Sequence, residues 1–103
     1  MPAWNLYLLR CADGSVYTGI ATDVRRRIAE HESGNRGARY LRGRGPLVLL
    51  FQREVGDRSL ATRLEMLVKK LPRAEKTSVD TLSQRIDSLL SQLMEESPET
   101  GRQ

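Results

Sequence analysis

Two runs rich in apolar and aromatic residues, Trp4 to Cys11 and Ser15 to Ile20, are separated only by Ala12-Asp13-Gly14. Asp-Gly between two such runs is a hairpin signal, so the chain is expected to open with a pair of antiparallel strands. On strand periodicity Tyr7 shares a face with Asn5 and Leu9, and Tyr17 shares one with Ser15 and Gly19. Gly19 leaves room beside Tyr17 for another backbone or a ligand to approach. Thr22 or Asp23 then caps a helix expected to run to about Glu32. At about 100° per residue, Arg27 and His31 lie one above the other on it, at the margin of the stripe made by Val24 and Ile28. Arg25 and Arg26 point further out, where they are solvated or touch phosphate without specificity.

Leu47 to Val55 is the most continuous strand run, and its apolar start predicts a central strand. Gly56-Asp57 turns into a helix from about Arg58 to Leu71, with Pro72 ending it or starting the next segment. Glu65 falls beside Ala61 at the edge of that helix's apolar stripe. From Val79, the residues Leu82, Ile86, Leu89, Leu90 and Leu93 recur at helical spacing and predict a last amphipathic helix. The fold class expected is α+β, a three-stranded antiparallel sheet flanked by helices. Residues 1–77 form the main domain, residues 78–96 a helix packed on it or on a partner, and residues 97–103 a polar tail.

A chain of 103 residues suits one small domain. No apolar run approaches the roughly 20 residues of a membrane span. The first residues lack the basic-then-apolar pattern of a signal peptide. Cys11, the single cysteine, has no intrachain partner, and these features together predict a reducing, cytoplasmic setting. The net charge of +4 conceals an asymmetry: thirteen Lys/Arg face six Asp/Glu between Asp23 and Arg73, and two face five from Ser78 onward. A basic body with an acidic tail predicts a polyanionic partner, most often nucleic acid.

Between Gly34 and Pro46, Arg36, Arg39, Arg42 and Arg44 stand with no acid among them and with Tyr40 in their midst. Such a segment can track a phosphate backbone and stack on a base, although Tyr40 equally suits a place in the core. Lys69 and Lys70 extend the basic surface. Hydrolysis of a phosphodiester needs a deprotonated nucleophile, neutralisation of charge on the phosphate and stabilisation of the leaving oxygen. The residues available for that work are Tyr7, Tyr17, Arg27, His31 and Glu65. A tyrosine acting on a proton must lose pKa from about 10, and Arg27 with a metal ion would push it that way. One carboxylate is too few for a protein-built metal cage, so a magnesium ion on Glu65 would draw its other ligands from water and substrate phosphate. Each residue also has an ordinary reading: strand aromatics for the tyrosines, a solvated Arg27, a helix-terminal His31, and Glu65 paired with Lys69.

The run Tyr17-Thr18-Gly19, followed by Thr22-Asp23, Arg26-Arg27 and His31, resembles the GIY-YIG nuclease domain, especially its small standalone YhbQ-like members. Further matching pieces are Trp4 with Tyr7, Asp13-Gly14, Gly-Ala-Arg-Tyr at 37–40, Gly-Asp-Arg-Ser at 56–59, and Glu65 with Lys69-Lys70-Leu71 and Arg73. The likeness covers about residues 4–76. The first motif reads Leu6-Tyr7-Leu8 in place of Gly-Ile-Tyr, and Thr18 stands where the second motif has isoleucine. The resemblance implies a three-stranded sheet flanked by helices and a Mg²⁺- or Mn²⁺-dependent DNA endonuclease. By position it implies Tyr7 as general base, Tyr17 orienting the water or assisting the base, and Arg27 gripping the scissile phosphate. It further implies Glu65 as metal ligand and His31 supporting the phosphate or a tyrosine. The implied task is DNA repair or processing, with branched, damaged or single-stranded DNA as substrate and another protein supplying specificity. A rival expectation is a nucleic-acid-binding module on the same fold that cuts little, or only with a partner. A third is a protein-interaction domain working through the last helix.

Overall fold

The computed structural model describes residues 2–33 and 46–95. The chain runs β1 (Trp4–Arg10), β2 (Val16–Ala21), α1 (Val24–Ser33), β3 (Val48–Gly56), α2 (Arg58–Lys69), α3 (Arg73–Thr77) and α4 (Val79–Glu95). The strands form one antiparallel sheet in the order β2-β1-β3. The α+β architecture expected from the sequence is the one observed. Arg36, Arg39, Tyr40, Arg42 and Arg44 lie outside the described residues.

Local chemistry sets the boundaries. Gly14 turns the β1–β2 hairpin at φ +87°, a left-handed conformation open to glycine. The Asp13 carboxylate accepts from both the Ser15 N–H (3.0 Å) and its hydroxyl (2.6 Å). Asp23 opens α1 by accepting the Arg26 N–H on its side chain at 3.1 Å. Asp57 does the same for α2, accepting the Leu60 N–H at 2.8 Å. Pro72 both follows α2 and precedes α3, whose Arg73 guanidinium donates to the Gly14 carbonyl and ties the hairpin to the helical layer.

The expectation that the strand after Leu47 is central is corrected: β1 takes that place, and β3 is an edge. Four consecutive residues of β1, Leu6 to Leu9, are buried, whereas Val48 and Leu49 of β3 are each 43% exposed. An apolar run marks a strand covered on both faces only where the layers lie on both sides, and here they meet over β1. On one face Leu6 and Leu8 pack with Leu64 and Val68 of α2 and with Leu82, Ile86 and Leu93 of α4. On the other, Tyr7, Leu9 and Cys11 pack with Val24, Ala21 and Leu47, and Ile28 and Tyr17 close in from the side. The apolar stripe of α4 thus lies in this chain's own core, and Arg53–Asp87 (2.7 Å) and Arg85–Glu75 (2.9 Å) fasten its outer side. No helix among the described residues is long and apolar enough to cross a membrane.

Candidate active site

Antiparallel pairing sets Tyr7 opposite Gly19 and Leu9 opposite Tyr17, which puts both phenols on the face that α1 covers. His31, in the last turn of α1, reaches down onto the same spot. Its Nε2 lies 2.9 Å from the Tyr7 hydroxyl. The three rings form a triangle with centroids 6.3 Å apart for Tyr7–Tyr17, 6.2 Å for Tyr7–His31 and 5.6 Å for the edge-on Tyr17–His31 pair.

The gap above Gly19 has a different occupant from the one expected. A Cβ there would stand 2.6 Å from the Tyr7 hydroxyl oxygen and 3.0 Å from the Tyr17 ring. The space directly above Gly19 is taken up by the protein's own phenol.

Tyr7 is 1% exposed and His31 2%, and burial governs their protonation. The Tyr7 phenol is pushed well above its ordinary value by desolvation and by the neighbouring Tyr17. Arg27, through its charge and a side-chain hydrogen bond, pulls the other way without prevailing. The sequence-based expectation that Arg27 lowers this phenol is therefore right in direction and outweighed. Tyr17 is also raised, by burial and then by the charge of Glu65, with Arg27 opposing. His31 is lowered, first by burial and then by Arg27, so it stands neutral near pH 7. Arg27 can only donate to the Tyr7 oxygen, so the arrangement that satisfies all three groups has the phenolic proton on Tyr7 and donated to Nε2.

Arg27 itself is engaged. Its Nη1 donates to Glu30 Oε1 at 2.9 Å, while Arg26 Nε lies 3.4 Å from the other Glu30 oxygen. That bond, more than any other influence, holds the Arg27 pKa up and keeps its cation fixed. Glu30 was not among the sequence candidates, although its place three and four residues after the two arginines carried the signal. Glu65 on α2 is a half-buried carboxylate with Lys69 Nζ 3.4 Å from Oε2. Its negative charge is felt by both phenols and raises both. Lys69 and Lys70 are exposed at the end of α2.

Among the described residues no three His, Cys, Asp or Glu gather as a metal cage. One carboxylate fits the way magnesium is held when water and substrate phosphate complete its shell. Glu65 meets that condition, with Lys69 as its present counter-ion.

A model of the GIY-YIG catalytic domain matches residues 3–79. The UPF0213 protein YhbQ of Salmonella arizonae is 50% identical over 93 residues, covering 90% of this chain and 92% of that protein. A UPF0213 protein of Serratia proteamaculans is 54% identical over 76 residues, 74% of each chain. Among solved structures, the protein EF2693 from E. faecalis is similar with a TM-score of 0.53 and 38% identity, covering 75% of this chain and 81% of that one.

Proposed function

The chain belongs to the GIY-YIG family, and from that membership we propose that it is a DNA endonuclease dependent on Mg²⁺ or Mn²⁺, acting in DNA repair or processing. The observation that carries this reading is the gathering of Tyr17 and Arg27 around the buried Tyr7–His31 pair, within the field of Glu65.

The protonation states suggest how the residues divide the work. Tyr17 is the one ring of the three that solvent reaches appreciably, so its hydroxyl orients the attacking water. Tyr7 takes a proton from that water as it passes its own to His31 Nε2. The phenol stays neutral throughout and the histidine becomes imidazolium. A buried phenol with a raised pKa is a poor base alone, whereas a neutral histidine behind it completes a relay. Hydroxide attacks phosphorus, the bond to the leaving oxygen breaks, and that oxygen takes a proton from solvent. Arg27 leaves or shares Glu30 to hold the non-bridging oxygens. A divalent ion held by Glu65 would supply further positive charge for the phosphate and the leaving oxygen.

Cleavage of labelled single-stranded, duplex, nicked, flapped and branched DNA tests the proposal, with Arg27→Ala and Glu65→Ala beside the unaltered protein. Metal-dependent cutting lost in both variants is the expected result. Equal cutting in all three would sink it. The deep burial of Tyr7 also suits a second reading, a module that binds nucleic acid without cutting. That reading requires binding that survives Glu65→Ala, with no cleavage by any of the three proteins.

A further inference from the structure

Beside the tyrosine–histidine cluster, and sharing Arg27 with it, lies an open cavity of about 400 Å³. Four elements contribute to it: Trp4 from β1, Ile20 from β2, Arg26, Arg27 and Glu30 from α1, and Arg58 from α2. Its size is within the roughly 300–1,000 Å³ of small-ligand sites. Three arginines line it against two carboxylates, the second being Asp23. Asp23 caps α1 by accepting the Arg26 N–H, and Glu30 pairs with the Arg26 and Arg27 side chains, so the lining keeps a net positive charge of one. The cavity therefore favours an anion. Trp4 adds a flat apolar surface, and the Arg58 guanidinium lies over one face of the indole, its carbon 5.2 Å from the centroid, which steadies the ring and leaves its other face and edge for a ligand.

A flat aromatic with arginines around it is the chemistry that holds a base and its phosphate. We propose that this cavity receives one unpaired nucleotide of the substrate strand, its base against Trp4 and its phosphate on Arg26 and Arg58, next to the phosphate held by Arg27. The inference rests on the reading of the chain as a DNA nuclease and adds a basis for substrate choice. A base still paired in a duplex has its faces covered by neighbouring bases and cannot enter. Single-stranded, flapped or frayed DNA presents such a base without further cost.

Trp4 is the only tryptophan in the chain, so its emission reports on this cavity directly. The full chain is titrated in chelator with an oligo(dT) of about ten nucleotides, with duplex of equal length and with thymidine monophosphate. Overall binding is followed in parallel by anisotropy of labelled DNA. The expected result is quenching of Trp4 by oligo(dT), with little by duplex. Affinity for oligo(dT) should fall about 5- to 150-fold in Trp4→Ala, the range carried by stacking of one base. Trp4→Phe, which keeps an aromatic surface, should retain most of the affinity, and Arg58→Ala should weaken binding with an unchanged circular dichroism spectrum. Oligo(dT) that binds by anisotropy without altering Trp4 emission, and equally well to Arg58→Ala, would overturn the cavity's role while leaving the nuclease reading intact. Absence of any DNA binding, in chelator and with Ca²⁺ in place of Mg²⁺ alike, would overturn both. Quenching by thymidine monophosphate at concentrations as low as for oligo(dT) would assign the cavity to a free nucleotide and overturn the proposal.

Discussion

The Tyr7 hydroxyl and His31 Nε2 meet at 2.9 Å in a site that solvent scarcely enters, with the phenol's pKa raised and the imidazole's lowered. Opposite shifts in one hydrogen-bonded pair mean that both partners are held neutral. The unfolded chain gains a proton on His31 near pH 6.5, and the folded chain only at lower pH. Between those values the unfolded state binds more protons, so stability rises with pH across the window. The contribution is complete above about pH 6.5 and is lost as pH falls through the depressed folded value. Urea unfolding followed from about pH 7.5 to about pH 5 should show this loss, and His31→Gln should flatten it. An unaltered slope in His31→Gln would place the titration elsewhere.

Gly19→Ala should damage the pair without touching either member. The new methyl would lie 2.6 Å from the Tyr7 oxygen and 2.7 Å from its Cζ, and a ring packed on all sides has little room to withdraw. A cost of about 1–3 kcal/mol is expected from overpacking. Thermal unfolding would register it, and the Tyr7–His31 contact should be lost in the His31 NMR signals.

Glu30→Gln should tighten DNA binding. The change releases Arg27 and Arg26 from their shared carboxylate and removes a negative charge beside the cavity. Both arginines are partly exposed, so the gain should be about 2- to 5-fold at low salt, the scale of a surface ion pair. Anisotropy titrations across a salt series would measure it. Binding weakened by the substitution would show that Glu30 positions Arg27 for the phosphate and does not compete with it.

Ile86→Ala should lower stability by about 2–5 kcal/mol, as for a buried aliphatic side chain truncated in a packed core. Asp87→Ala, one residue on and at the surface, removes only the exposed pair with Arg53 and should cost less than about 1 kcal/mol. Chemical unfolding of the two variants separates a helix built into the core from one resting on the surface. Equal small effects would mean that α4 is dispensable.

Much of this was legible in the sequence because it depends on neighbours. The hairpin at Asp13-Gly14, a cap at Thr22 or Asp23, the turn at Gly56-Asp57 into α2, and the stacking of Arg27 over His31 on α1 follow from spacings of a few residues. The strand order did not follow, since Leu47 to Val55 reads as apolar whether it is covered on one face or two. The protonation of Tyr7 was equally out of reach. Arg27 and burial oppose each other there, and only the depth of the site decides which prevails. Trp4 and Arg58 come together from the start of β1 and the start of α2, and no periodicity links positions so far apart.

The core that joins Leu6 and Leu8 to Leu82, Ile86 and Leu93 also orders events in time. Tyr7, Tyr17, Arg27 and His31 all lie between β1 and the end of α1, so a ribosome delivers these four well before α4, with Glu65 following on α2. The opposite face of that same strand pair waits for α4. At about 5–20 residues per second, the interval from β2 to the end of α4 is roughly 4–15 s. Throughout it, two leucines of the central strand stand without their final cover. A prematurely released chain would therefore present a sticky sheet in place of a smaller folded domain, and the last helix acts as the seal that ends this exposure.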